Sequence, residues 1–123
     1  MITYDDFKKV EIRAGKILSA EKIPDTDKLL RLSVDLAETR EVADAAGTKS
    51  VVPAPRQIVS GISAYFPDPA VLVGRTCMFV TNLEPRMIRG YESNGMLFAL
   101  SDDTGNFSLL EPNATIKPGT PAK

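Results

Sequence analysis

Hydrophobic and polar positions alternate with a period of two at several places along the chain. The cleanest case sets Leu30, Leu32, Val34 and Leu36 against Arg31, Ser33 and Asp35. That period sends successive side chains to opposite faces and predicts a half-buried strand over residues 30–36. A similar alternation begins at Lys9, with Val10, Ile12 and Ala14 on one face and Glu11 and Arg13 on the other, until Gly15 interrupts it. A glycine inside a strand marks a bulge or bend, which a strand needs if it curves round a small barrel, and this strand is predicted to continue through Ile17 and Leu18. Residues 57–60 predict a third strand and residues 96–100 a fifth. The fourth, over residues 75–81, has a nearly continuous apolar run that predicts burial on both faces.

The punctuation between these runs is equally informative. Thr3 ahead of Asp5, Asp6 and Phe7 predicts a short capped helical turn. Pro24-Asp25-Thr26-Asp27 predicts a turn, since proline presets the backbone and aspartates bond back to nearby amides. Residues 37–55 form a long excursion that predicts either a helical turn at 41–46 or an extended hairpin, and Pro53 and Pro55 argue against a central strand there. Asp68-Pro69 is an N-cap with proline at the first helical position, predicting one short helix over 70–73 closed by Gly74. Residues 102–106 predict a turn into 107–110, and the Pro/Gly-punctuated tail from Pro112 is predicted to lie over the surface. Five short strands with a helix between the third and fourth suit a five-stranded Greek-key barrel of the OB-fold type, although another small β-barrel or sandwich fits the same count.

At 123 residues, 43% hydrophobic and 25% charged, the chain suits one soluble globular domain, not a disordered segment. No apolar run approaches the ~18 residues of a membrane span, and the acidic start lacks the pattern of an export signal. Cys77 is the single cysteine, so an intrachain disulfide is excluded and a reducing, cytoplasmic setting fits. Its place in an apolar run predicts a buried, inert thiol. With no histidine, the commonest general base and the Ser/His or Cys/His nucleophile pairs are excluded, so no catalytic, metal or cofactor site is expected. Asp25 with Asp27, and Asp102 with Asp103, are turn residues by context and not acid–base pairs.

Fifteen cations against sixteen anions give a net charge of −1, so any affinity for a polyanion must come from local arrangement. Charge is segregated: Lys8, Lys9, Arg13 and Lys16 accompany only Glu11, while Asp35, Glu38, Glu41 and Asp44 accompany only Arg40. Arg86 and Arg89 flank a turn between apolar strands, where guanidinium groups suit phosphate through two-pronged hydrogen bonding. Lys28 and Arg31 on the second strand, with Arg56 at the start of the third, extend that face if the strands adjoin. Tyr91 is the best candidate for stacking an unpaired base. Tyr65 and Phe66 are read as core or dimer-interface residues, and Phe79 and Phe98 as core.

Asn82-Leu83-Glu84-Pro85-Arg86, continuing Arg89-Gly90, Ser93 and Gly95-Met96, resembles the motif of the tRNA-binding domain family. That family comprises the domain appended to methionyl-tRNA synthetases and free-standing structure-specific tRNA-binding proteins. Ile23 to Leu29 and Arg56 to Ile62 carry the same resemblance, which runs from about Asp6 to Leu36 and from Arg56 to the tail. It implies a five-stranded OB-fold barrel with a C-terminal extension, a single domain over 1–123, and an insertion at about 38–55 where relatives connect two strands directly. The implied RNA contacts are Lys28, Arg31, Arg56, Asn82, Arg86, Arg89, Tyr91, Ser93 and Met96. Asn82 and Ser93 would serve ribose or phosphate, the arginines phosphate, and Met96 the surface or the core beneath it.

The resemblance further implies no catalysis, binding of tRNA by its shape rather than of DNA, service to a methionyl-tRNA synthetase in cis or trans, and a homodimer. The initial Met1 favours a separate protein over a detached C-terminal domain. Family members usually carry lysine where this chain has Ser33, Glu84 and Met87, which predicts a weaker electrostatic term. The alternative is a protein-interaction or secretion-chaperone-like module on the same scaffold, favoured by the near-neutral charge and the acidic excursion.

Overall fold

Alternation in the sequence becomes a barrel in the computed structural model, which describes residues 1–123. Helix α1 (Tyr4–Phe7) precedes strands β1 (Ile12–Lys22), β2 (Leu30–Asp35), β3 (Thr39–Ala43), β4 (Lys49–Pro53) and β5 (Arg56–Ser60). Two 3₁₀ turns, Ser63–Tyr65 and Pro69–Leu72, lead to β6 (Thr76–Val80). Strands β7 (Arg86–Ile88), β8 (Tyr91–Ser93), β9 (Met96–Leu97), β10 (Ala99–Ser101) and β11 (Phe107–Leu109) complete the chain. Thr3 caps α1 through a reciprocal box with Asp6, and Asp68 caps the second 3₁₀ turn by accepting from the Ala70 N–H. No helix is long and apolar enough to cross a membrane.

The main sheet is antiparallel with the order β5-β2-β1-β6-β9. Its two ends approach each other: the Asn94 N–H donates to the Gln57 carbonyl at 2.8 Å, and the Ser93 hydroxyl accepts from the Val59 N–H at 3.0 Å. The result is a nearly closed five-stranded barrel of the OB type. Leu30, Leu32, Val34 and Leu36 point inward to join Ile17, Ile58, Leu72, Cys77 and Phe79, all buried.

Gly15 has a different job from the one its position suggests. A Cβ there would lie 2.6 Å from Val34 Cγ1 and 2.9 Å from both Leu36 Cδ2 and Phe79 Cδ2, so the glycine makes room for the core. The register shift of β1 against β2 falls between Ile17 and Ser19, and it turns Leu18 outward, 44% exposed. Phe98 is likewise not core: it is half-buried, while its neighbour Leu97 takes the inward place. The predicted fifth strand is split into β9, which pairs with β6, and β10, which pairs with β11.

Of the two options for residues 37–55, the hairpin is observed. Strands β3 and β4 pair only with each other, and Asp44 closes their turn by accepting from Ala46 and Thr48, both at 2.9 Å. Those bonds, with Gly47 at φ 80°, form a local turn in place of the predicted helical one. The tail is more than a surface cover. Ala14 and Ile12 exchange backbone hydrogen bonds of 2.7–2.9 Å with Gly119, Thr120 and Ala122, so the C-terminus extends the sheet along the free edge of β1.

Candidate nucleic-acid interface

Strands β7 and β8 form a hairpin whose two turn residues, Arg89 and Gly90, both have positive φ, 51° and 84°. This is the type I′ geometry that matches strand twist, and glycine suits it. An arginine in the left-handed region costs about 1–2 kcal/mol, so the tip holds its cation at the expense of backbone strain. Arg86 lies at the other end of β7. Both side chains are exposed, and neither takes part in an ion pair.

The hairpin is seated on the barrel through β8. Gln57 donates from Nε2 to the Glu92 carbonyl at 3.0 Å, and the Arg31 guanidinium lies 5.4 Å from the centre of the Tyr91 ring. Arg31 is also ion-paired with Glu21, so its charge is partly neutralised. Lys28 is exposed and free of ion pairs. It shares a cleft of about 470 Å³ with Arg89, Asp25, Thr26 and Asp27, so two cations from distant segments meet at one end of the barrel.

Besides Arg31, three of the residues expected to touch RNA have their polar groups engaged within the protein. Arg56 donates to Glu38 at 2.7 and 2.8 Å, to the Asn94 carbonyl at 3.2 Å and to the Thr81 carbonyl. The Asn82 amide accepts from the Glu11 N–H at 2.8 Å and donates to the Lys9 carbonyl at 2.6 Å, tying the loop to the segment before β1. Ser93 is buried, and its hydroxyl accepts from Val59 and donates to the Gly95 carbonyl at 3.2 Å. These three side chains tie the segment from Thr81 to Gly95 to the barrel. Met96 is 44% exposed beside Arg86.

Glu38 and Arg13 join the Arg56 network, a link that sequence spacing does not reveal. Arg13 donates to Glu38 at 3.1 Å and to the Thr81 hydroxyl at 3.2 Å, so Glu38 serves two guanidinium groups. The hydrogen bond from Arg56, opposed by burial and reinforced by Arg13, holds the Glu38 carboxyl below its usual range. Away from this face, Tyr65 stacks on Phe107 with ring centres 4.0 Å apart, and Phe66 meets the same ring edge-on at 5.7 Å. An apolar cavity of about 510 Å³ lies under the tail among Ala14, Met78, Leu109 and Ile116, and none of Lys28, Arg86 and Arg89 lines it.

Comparison with known proteins agrees with this architecture. Residues 12–121 match a family described as "Putative tRNA binding domain". The chain is 46% identical over 121 residues to a methionine–tRNA ligase of Methanoregula boonei, and 42% identical over 123 residues to one of Methanosphaerula palustris. It covers 98% and 100% of itself in those matches but spans only 15% and 16% of the ligases. Among solved structures, a MetRS-related protein from Pyrococcus horikoshii matches with a TM-score of 0.78 and 30% identity, covering 100% of this chain and 98% of that one. The chaperone CsaA from Picrophilus torridus matches with a TM-score of 0.76 at 23% identity, covering all of both chains, a likeness of fold alone.

Proposed function

We propose that this chain, which belongs to the tRNA-binding domain family, binds tRNA by its folded shape through Lys28, Arg86 and Arg89. The observation that carries the reading is that these three cations are exposed and unpaired around one hairpin, in a protein whose total charge does not favour RNA. Phosphate position, not base sequence, is what separated cations on a rigid rim can sense. Tyr91, with Arg31 lying over its ring, adds a flat surface at the same end of the barrel.

The module serves a cytoplasmic methionyl-tRNA synthetase, in cis or as a separate protein, by raising the local concentration of tRNA. Support for that partner comes from the ligases of which this chain matches about a sixth. A homodimer would double the number of cations presented, and light scattering measures its mass directly.

Titration of labelled tRNA at two salt concentrations tests the reading. Three phosphate contacts give a slope of log K against log salt of roughly −2 to −3, and changing Arg86 and Arg89 to alanine removes about two units of it. Absence of binding at low salt, or an unchanged slope in the double variant, would sink the reading in favour of a protein-interaction module.

A further inference from the structure

Arg86 lines a second cleft, of about 540 Å³, between the β7–β8 hairpin and β5. Its walls are apolar, formed by Val59, Leu83, Ile88 and Met96, and one further charged group, Glu84, shares it. Glu84 and Arg86 are both exposed, yet they do not pair with each other or with any other residue. An unpaired acid and an unpaired base on one apolar cleft form an electrostatic pattern with two poles.

A phosphate alone does not suit that pattern, because the carboxylate repels it while the guanidinium attracts it. The pattern suits a ligand that is anionic at one end, flat and apolar in the middle, and rich in N–H donors at the other. A nucleotide has that form. Unpaired bases are held by apolar and aromatic contact with their faces and by hydrogen bonds to their Watson–Crick edges. Guanine is the one common base with two adjacent N–H donors on that edge, N1–H and the N2 amine, and they match the two oxygens of a carboxylate. Adenine, cytosine and uracil offer a single donor group there.

We propose that this cleft takes an unpaired guanine of the bound RNA, with its ring against Ile88 and Met96, its Watson–Crick edge on Glu84 and its phosphate on Arg86. The inference rests on the tRNA-binding reading and adds a base preference to a site otherwise governed by shape. Exposure of Leu83 (50%) and Met96 (44%) is then useful, since their apolar surface is covered by the base.

Eight-residue oligouridylates carrying a central G, A, C or U, titrated against the full chain at low salt, test it alongside whole tRNA. The expected result is a preference for G over the other three by about five-fold or more, the discrimination typical of one good two-pronged contact. In the Glu84→Gln variant the advantage of G over U falls within two-fold. Binding of tRNA with equal affinity for all four oligomers, or a guanine preference that survives Glu84→Gln, overturns the guanine slot alone. No binding of tRNA at low salt overturns the tRNA reading and the slot with it.

Discussion

Glu38 and Arg56 lie 18 residues apart in sequence and meet through two parallel hydrogen bonds of 2.7 and 2.8 Å, closing the neck of the β3–β4 hairpin. Glu38 stands where the chain leaves the barrel and Arg56 where it returns. The same guanidinium reaches the carbonyls of Thr81 and Asn94, which frame the segment bearing Arg86 and Arg89. One ion pair therefore fixes both the hairpin and the ends of the cation-bearing segment.

Glu38→Gln should consequently do more than loosen a loop. It leaves the half-buried Arg56 guanidinium without its carboxylate partner and Arg13 with Glu11 alone, at 3.0 Å. Loss of charge-assisted hydrogen bonds of this kind costs about 1–3 kcal/mol, the upper part of which applies only to full burial. Urea unfolding should show a lower midpoint with an unchanged slope. An unchanged midpoint would mean that the pair is as weak as an exposed surface bridge.

Acid should destabilise the protein through the same carboxyl. Glu38 and Glu111 are both held below the ordinary glutamate value of 4.5, by hydrogen bonds from Arg56 and Arg75 respectively. Asp102 is pushed down to about 2 by the Asn106 and Thr104 donors of its turn. A carboxyl lowered on folding contributes stability that is fully present above its unfolded value and is lost as pH falls through its folded value. Unfolding free energy should therefore be flat from neutrality to about 5 and fall steeply below 4.5, and Glu38→Gln should reduce that acid slope. Parallel curves for the two proteins would remove Glu38 from the acid response.

Strand periodicity was legible where burial on one face sets it, as in β2, because each inward position there meets the core. It was not legible where the cause of a residue lies far along the chain. Gly15 signals a bend by sequence rules, yet the atoms that demand a glycine belong to Val34, Leu36 and Phe79. The β3–β4 hairpin is exposed at almost every position, so no alternation marks it. Asn82, Ser93 and Arg56 are polar residues in the segments that carry the family resemblance, and only their partners, 34 to 73 residues away for Asn82 and Ser93, show that their polar groups are taken up within the protein. Lys28, Arg86 and Arg89 stay exposed, as their loop and turn positions predict, because no distant carboxylate pairs with them.

The glycines separate these cases experimentally. Gly15→Ala forces a methyl group against three core side chains and should cost about 1–3 kcal/mol, the range for overpacking a well-filled interior. Gly61→Ala meets nothing within 4 Å and has no positive φ, so it should be neutral or stabilise by up to ~1 kcal/mol through the unfolded chain. Thermal unfolding of the two variants side by side checks the contrast. Equal midpoints would show that β1 can shift to admit a side chain.

Cys77 should be silent toward thiol reagents while the protein is folded. Burial pushes its thiol up to about 11, so the reactive thiolate is scarce at neutral pH and shielded as well. Labelling at pH 8 should proceed at the rate of unfolding and accelerate with urea. Prompt labelling of the native protein would show that the barrel opens locally at β6.

Arg89 should display a conflict between stability and binding. Its left-handed backbone at φ 51° costs an arginine about 1–2 kcal/mol, whereas glycine adopts that conformation freely. Arg89→Gly keeps the type I′ turn and removes the strain, although it also makes the unfolded chain more flexible, so a net gain below ~1 kcal/mol is expected. The same change removes one of the three cations assigned to phosphate and should weaken tRNA binding at low salt several-fold while lowering the salt slope by about one unit. Denaturation and binding measured on one preparation read both effects. A variant that loses stability would show that the added freedom of the unfolded chain outweighs the relieved strain, and one that binds tRNA unchanged would leave Lys28 and Arg86 as the phosphate contacts.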